Sequence, residues 1–335
     1  MQCMKNMNKT IIEEDIDNIV KCNDFSELKN KSVFITGATG LFGLWLLEFL
    51  LFLNKKYDFN ISITILTRSY NNFISKYPKF KDYNINYIEN DVVNFKLNKR
   101  YDFFFDLVWA KLKNNEYTYD TMISGIKNVI NICKDIEVEK LLFISSGSVY
   151  GKQPFNILKI TEDTKGIPIN DYAKAKKYSE ELLLDSKINI GIARGFSFVG
   201  AYMKLDYFAM ANFIDSVINN RDIIINGDGS PIRSYLYMAD AIYWLLTILL
   251  KSKNKSIYNV GGGGGGISIY DLAKKVAKQN NNYTGEIKVL GKTNIGVAPE
   301  RYVPDISKII KELGVKENYT LEAAIKRTIE YYKGL

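Results

Sequence analysis

The sequence predicts an α/β protein: a doubly wound parallel sheet followed by a smaller C-terminal α/β lobe. Three observations predict it. The apolar run Val33-Phe34-Ile35-Thr36 breaks into three glycines at three-residue spacing, Gly37, Gly40 and Gly43, and continues directly into an apolar stretch. Beyond that turn, short β-branched and aromatic runs alternate with segments of helical periodicity, the pattern of parallel strands joined by crossover helices. A chain of 335 residues, 47% hydrophobic and 24% charged, has the length and composition to bury a sizeable core.

Taken in order, residues 11 to 28 read as a short amphipathic helix and connection laid on the outside of the sheet. The glycine turn comes next and is of the Rossmann type. Gly37 permits the tight strand-to-helix turn, Gly40 lets a pyrophosphate approach the backbone, and Gly43 lets the helix pack closely on the strand, so that phosphates meet the positive end of a helix. Further strands are expected at Ile61 to Leu66, Ile85 to Ile88, Phe103 to Trp109, Lys140 to Ser145 and Ile188 to Arg194. From about Gly200 the chain mixes helices with short strands such as Asp222 to Ile225 and Ile257 to Val260. The predicted organisation is an N-terminal helical extension at 1–30, a dinucleotide-binding domain at 31–199, and mainly a substrate-binding lobe at 200–335, closing over the carboxyl ends of the strands. The six glycines Gly261 to Gly266 read as a tolerant turn, with a flexible loop near the ligand as the alternative.

Composition excludes several classes. Met1 to Asp24 is polar and carries no apolar stretch of the kind that directs secretion. The apolar runs Leu44 to Leu53 and Ala241 to Leu250 fall well short of the ~20 residues that span a bilayer. Cys3, Cys22 and Cys133 are scattered, with neither zinc spacing nor a disulfide framework, which suits a reducing cytoplasm. The net charge of +8 is spread along the chain without a basic block, so no nucleic-acid partner is expected. There is no histidine at all. Imidazole general bases, Ser/Cys–His nucleophiles and histidine metal sites are therefore excluded, no metal is expected, and acid–base work falls to Tyr, Lys, Asp, Glu or Cys.

Tyr172 and Lys176, four apart in Asp171-Tyr172-Ala173-Lys174-Ala175-Lys176, meet on one face of a helix. An ammonium beside a phenol favours the phenolate and brings tyrosine from about 10 toward the range of a working acid or base. Two exposed helical residues are the alternative. Ser145-Ser146-Gly147-Ser148-Val149-Tyr150-Gly151 follows an apolar strand, where a hydroxyl can bond a substrate oxygen as hydride moves at the neighbouring carbon, or can simply form a turn. At the end of the second strand stands Ile65-Leu66-Thr67-Arg68. An acidic residue there binds the ribose 2′-hydroxyl of NAD, whereas an arginine pairs with the 2′-phosphate of NADP. Arg68 favours NADP, with stacking on the adenine of NAD as the other use of its guanidinium.

These motifs resemble those of the NAD-dependent epimerase/dehydratase family, extended short-chain dehydrogenase/reductases that act on nucleotide sugars. The resemblance runs from about Lys31 to the C-terminal helix. It adds Gly227-Asp228-Gly229-Ser230-Pro231-Ile232-Arg233-Ser234-Tyr235 and Arg301-Tyr302-Val303-Pro304-Asp305 to the motifs above. It implies that Tyr172 is the proton donor or acceptor, that Lys176 holds the nicotinamide ribose and tunes Tyr172, and that Ser146 binds the reacting sugar oxygen. Thr39, Leu41, Phe42 and Val92 would join the glycines at the cofactor, and Asp91 would contact adenine. Ser148, Ser197, Asn212, Arg233 and Arg301 would bind the substrate, a nucleotide-diphosphate sugar, the arginine fork being suited to phosphate oxygens. A homodimer is implied on the same ground. The chain departs from the family pattern at Trp109, where a histidine is common, at Met122, where a tetrad asparagine often stands, and at Ala201, usually proline.

In the family, dehydratases carry an acidic pair directly after the catalytic hydroxyl residue and decarboxylases a glutamate. Here Gly147 and Ser148 take those places. The expected function is an epimerase or a 4-keto-sugar reductase serving surface-polysaccharide or glycan synthesis, which needs only hydride transfer and one acid–base residue. The alternatives are a dehydratase or decarboxylase of the same family and a non-catalytic dinucleotide-binding sensor or scaffold.

Overall fold

A computed structural model of the chain describes residues 10–108, 119–206, 208–292 and 298–334. Fourteen strands are present among the described residues. They are β1 (Ser32–Thr36), β2 (Ser62–Thr67), β3 (Ile85–Glu89), β4 (Phe103–Asp106), β5 (Lys140–Ser146), β6 (Ile190–Gly195), β7 (Phe198–Val199), β8 (Ile223–Ile225), β9 (Ile232–Arg233), β10 (Leu236–Tyr237), β11 (Ser256–Val260), β12 (Ile267–Ser268), β13 (Ile287–Val289) and β14 (Arg301–Tyr302). The helices are α1 (Ile11–Cys22), α2 (Leu41–Tyr57), α3 (Tyr70–Lys76), α4 (Tyr119–Asp135), α5 (Asp171–Asp185), α6 (Ala209–Ile218), α7 (Met238–Lys251), α8 (Ile269–Ala277), α9 (Ser307–Leu313) and α10 (Leu321–Lys333). None is long and apolar enough to cross a membrane.

Seven strands form one parallel sheet in the order β11-β6-β5-β4-β1-β2-β3. Period-two alternation sends successive side chains to opposite faces. Val33, Ile35, Phe103, Phe105, Leu142 and Ile144 share one core with α2 and α7. Phe34, Phe104, Leu141 and Phe143 share the other with α4 and α5. The chain order reverses between β1 and β4, whose ends meet at the pair Thr36 and Asp106. A crevice at the carboxyl ends of strands flanking such a switch is where open α/β sheets bind ligands.

Three features depart from the sequence expectation. Residues 257–260 belong to β11, which pairs with β6 and completes the central sheet, so the 200–335 segment is not a separate lobe throughout. Periodicity marks a strand but not its partner. The N-terminal helix packs on α2 and α7 rather than on the sheet, burying Ile12, Ile16 and Ile19 as a third layer. It is pinned there by the buried Asp15, which accepts from the Tyr237 hydroxyl (2.5 Å) and pairs with Arg327 of α10. The glycine run, finally, is not a tolerant turn. A Cβ on Gly262 would lie 2.4 Å from the Tyr235 carbonyl oxygen, Gly263 abuts Ile306 and Glu317, and Gly266 holds φ +91°. Of the six, Gly264 alone combines open space with an ordinary backbone. The run is a packing joint between β11, the β9–β10 connection and the segment before α9.

The strand expected at Phe103 to Trp109 ends as β4 at Asp106; Trp109 lies outside the described residues.

Candidate active site

The site grows from three strand ends. At the end of β1, Gly37 turns with φ +69°, its α-carbon so close to the Leu107 carbonyl group that a Cβ would stand 2.5 Å away. Gly43 lies equally tight on the Gly37–Ala38 backbone. Gly40 is different. A Cβ there would meet only the Gly37 oxygen at 3.3 Å, so its outer side is open. Gly40 is also the N-cap of the 17-residue α2, and no side chain caps that end. An uncapped helix start behind an open glycine is a ready place for phosphate oxygens. Thr39 and Gly40 are exposed beside it, and Leu41 and Phe42 are half-buried.

Below this turn the second strand end brings a buried charge pair. Thr36 donates its hydroxyl to Asp106 at 2.5 Å. Burial pushes the Asp106 carboxyl up, while Lys176, Thr36 and the Val108 amide oppose that rise. Lys176, on α5, is buried, and its ammonium donates to the Ile144 carbonyl at 2.8 Å and the Val108 carbonyl at 3.0 Å. Burial lowers it to about 8, with Asp106 and Glu180 acting the other way. Two of three N–H donors are thus spent on the ends of β5 and β4, and the position of the third is fixed by them.

Tyr172 stands one helical turn before Lys176 in the first turn of α5, which Asn170 caps by accepting from the Ala173 amide at 2.9 Å. Ser146 ends β5. Its hydroxyl accepts from the Ser148 amide at 3.1 Å, and the Tyr302 hydroxyl lies against the neighbouring Gly147. The Ser148 hydroxyl is shielded from solvent without a hydrogen-bond partner, an orphan that a ligand would satisfy. Arg233 reaches the same end of the sheet: its guanidinium lies 6.0 Å from the Tyr302 ring centre and pairs with Glu300 at 2.7 Å. Arg301 sits on the neighbouring strand β14, opposite Ile232.

Asp91 and Val92 line the same cavity as Lys176, Asp106 and Met122, so the expected adenine-side residues and the α5 lysine share one crevice. Asn128 of α4 holds the floor of that crevice by donating to the Val92 and Phe95 carbonyls. Arg68 is exposed beyond the end of β2. Asn212 is exposed on α6, and Ser197 lies between β6 and β7, where its carbonyl accepts the Leu236 amide; neither is drawn into the group around Ser146 by any described contact. Ala201 accepts from the Trp45 indole through its carbonyl, a contact that does not depend on its side chain.

Sequence reasoning missed Thr36, Asp106 and Tyr302. The first two left a trace, since a Thr and an Asp close otherwise apolar strands that end at the crevice. Tyr302 lay inside a quoted motif but gave no sign of which strand end it would reach.

An open glycine at an uncapped helix start, a buried lysine one turn from a tyrosine, and an orphaned serine hydroxyl fit a nicotinamide dinucleotide and a polar substrate. The comparisons agree. Residues 33–261 match the model of the NAD dependent epimerase/dehydratase family, and the chain belongs to that family of enzymes. It is 28% identical over 336 residues to the UDP-glucuronate 4-epimerase of Thermodesulfobacterium geofontis, covering 89% of this chain and 95% of that one. It is also 28% identical to the mouse dTDP-D-glucose 4,6-dehydratase, over 65% of this chain and 62% of that one. Its fold is shared with the UDP-N-acetylglucosamine 4-epimerase of Methanobrevibacter ruminantium (TM-score 0.77, 20% identity, 91% and 99% of the two chains). A UDP-glucuronic acid 4-epimerase of Bacillus cereus in complex with NAD is similar in fold (TM-score 0.74, 22% identity, 91% and 97%).

Proposed function

We propose that the chain is a nucleotide-sugar 4-epimerase in which Tyr172 moves the proton, Lys176 sets its acidity, and Ser146 bonds the reacting sugar oxygen. The observation that carries this reading is the Lys176 ammonium, held by two main-chain carbonyls one turn from Tyr172. A cation fixed there stabilises a phenolate without depending on a mobile side chain. A nicotinamide dinucleotide supplies the hydride acceptor and donor when bound. Tyr172 takes the hydroxyl proton as the sugar is oxidised and returns it on reduction, and the Ser146 hydroxyl bonds the same oxygen. Gly37 and Gly40 admit the pyrophosphate, while Arg233 and Arg301 bind the substrate diphosphate, Arg233 exchanging Glu300 for phosphate oxygens. Ser148 and, at the rim, Ser197 and Asn212 complete the substrate contacts. Gly147 and Ser148 leave no carboxylate beside Ser146, which favours return of hydride to the same carbon over elimination.

A keto-sugar reductase is the second reading, favoured by Arg68. Glu89, paired in register with Thr67 at the end of β2, accepts from the Tyr70 amide. That leaves arginine chemistry at the 2′ position and favours NADP, although the Bacillus cereus protein above binds NAD. Cytoplasmic action as a homodimer belongs to the same proposal. The test is mass spectrometry of small molecules released from gently purified protein, together with turnover of Tyr172→Phe. Retained NAD supports an epimerase and overturns the Arg68 inference, whereas NADP, or an empty site that titrates with NADPH, supports a reductase. Tyr172→Phe is expected to lose turnover with dinucleotide affinity unchanged; a variant as active as the parent contradicts the role of Tyr172.

A further inference from the structure

One turn beyond Lys176, on the same side of α5, Glu180 is the centre of a buried polar network. Its carboxylate accepts from the hydroxyl of Ser145, the residue just before Ser146, at 2.5 Å. It also pairs with Arg194 of β6, which donates from Nε to both carboxylate oxygens (3.0 and 3.2 Å) and from Nη2 to one of them (2.6 Å). Arg194 stands opposite Ser145 in the β5–β6 register and opposite Asn259 in the β11–β6 register. Its Nη1 donates to the Tyr150 hydroxyl (2.8 Å) and the Glu162 carbonyl (3.1 Å), and Tyr150 donates in turn to the Asn259 side chain (2.8 Å). Ser145, Tyr150, Glu180, Arg194 and Asn259 are all buried.

A buried ion pair is a poor source of stability, since apolar residues of the same volume do as well without desolvating two charges. Its geometry supplies something else. Lys176 ties α5 to the ends of β5 and β4 at one point, through the Ile144 and Val108 carbonyls. A helix held at one point can still tilt about it, and the second tie at Glu180 removes that freedom. Four helical residues advance about 6 Å, so Glu180 and Tyr172 stand equally far from Lys176 on opposite sides. A tilt that moves Glu180 therefore moves Tyr172 by as much the other way. We infer that the Ser145–Glu180–Arg194 network is the positioning device for the tyrosine, locking α5 to the end of β5 at a second point so that Tyr172 is held at a fixed distance from Ser146. A misplacement of about 1 Å at a reacting group costs on the order of 100-fold in rate.

This inference rests on the roles of Tyr172 and Ser146 proposed above, and the experiment separates the two. The triple variant Ser145→Ala/Glu180→Leu/Arg194→Met replaces the tie by apolar atoms of similar volume, and Ser145→Ala alone removes one hydroxyl while leaving the ion pair whole. Both are loaded with dinucleotide beside the parent and Tyr172→Phe. Hydride transfer is measured with UDP-glucose, UDP-glucuronate, UDP-N-acetylglucosamine and dTDP-glucose, and in reverse with their 4-keto derivatives. Melting temperatures of the triple variant and of Ser145→Ala are expected within about 5 °C of the parent, because no buried charge is left unpaired. Dinucleotide Kd and KM are expected within about threefold, while kcat falls about 10- to 100-fold in the triple variant and about 3- to 10-fold in Ser145→Ala. A network that only stabilised the fold would show the reverse, a lower melting temperature with the kcat of the folded protein unchanged. That pattern, parental kcat in Ser145→Ala or in the folded triple variant, or a change in KM alone overturns the positioning role while leaving those of Tyr172 and Ser146 intact; if the triple variant fails to fold, Ser145→Ala decides. Parental kcat in Tyr172→Phe, or no hydride transfer by the parent with any of these sugars, overturns the underlying reading and this inference with it.

Discussion

Lys176 carries the sharpest consequence at the residue scale, because burial lowers its ammonium to about 8 against an ordinary 10.5. The folded chain therefore holds this proton less tightly than the unfolded chain does. Between about pH 8 and 10.5 the unfolded state binds the extra proton, so this residue's contribution to stability rises with pH across that window and is lost as pH falls through about 8. Chemical denaturation of the parent and of Lys176→Met at pH 7.5 and 9.5 is expected to show a rise in the parent, of order 2 kcal/mol, that the variant lacks. Equal pH slopes in the two proteins would contradict the burial of the charge. The motif of Tyr172 and Lys176 was legible from their spacing. What spacing could not show is that the lysine is anchored on the Ile144 and Val108 carbonyls, since those belong to strands whose ends meet only in the folded sheet.

Elements show the same division between local pattern and distant partner. The β1–glycine–α2 unit was readable because its pattern lies within a dozen residues: an apolar strand, three glycines and an uncapped helix start. The six-glycine run was not, because what makes glycine necessary there is the Tyr235 main chain and the Ile306 side chain approaching from elsewhere. Gly262→Ala is expected to destabilise by about 1–3 kcal/mol, since a backbone atom cannot swing aside. Gly264→Ala is expected to be neutral or to stabilise by about 0.5 kcal/mol by restricting the unfolded chain. Thermal melts of the two variants check the contrast, and equal losses would return the run to a plain turn. At the end of β2, Arg68→Asp is expected to shift dinucleotide preference from NADP toward NAD by about tenfold or more, since a carboxylate repels the 2′-phosphate and bonds the 2′-hydroxyl. Calorimetric titration with both dinucleotides measures it; a ratio unchanged from the parent places Arg68 outside the site.

On the scale of the whole molecule, the seven-stranded sheet brings residues from the first, middle and last thirds of the chain to one crevice. Asp106 and Lys176 line it with Asp91, Val92 and Met122, Thr36 bonds Asp106, Ser146 and Tyr172 stand at the end of β5 and in the first turn of α5, and the β9–β14 pair carries Arg233 and Tyr302. The order of motifs along the chain made the family legible. The closing of the sheet by β11 was not, because a strand's pattern does not name its partner, and neither was the delivery of Tyr302, because a two-residue strand carries no periodicity of its own. The α1 helix, tied through Asp15 to Tyr237 and Arg327, braces α2, α7 and α10 behind the site rather than joining it.

The claim on which the account stands is that this crevice moves hydride to and from a nucleotide sugar through Tyr172. The most direct test is nuclear magnetic resonance of UDP- and dTDP-hexoses, and of their 4-keto derivatives, incubated with the dinucleotide-loaded parent and with Tyr172→Phe. The account predicts that the parent inverts one of the hexoses at C4 or reduces one of the keto sugars, and that Tyr172→Phe leaves the same sugar untouched. A parent that binds dinucleotide yet alters none of them, or a Tyr172→Phe variant that converts sugar at the parental rate, would contradict it.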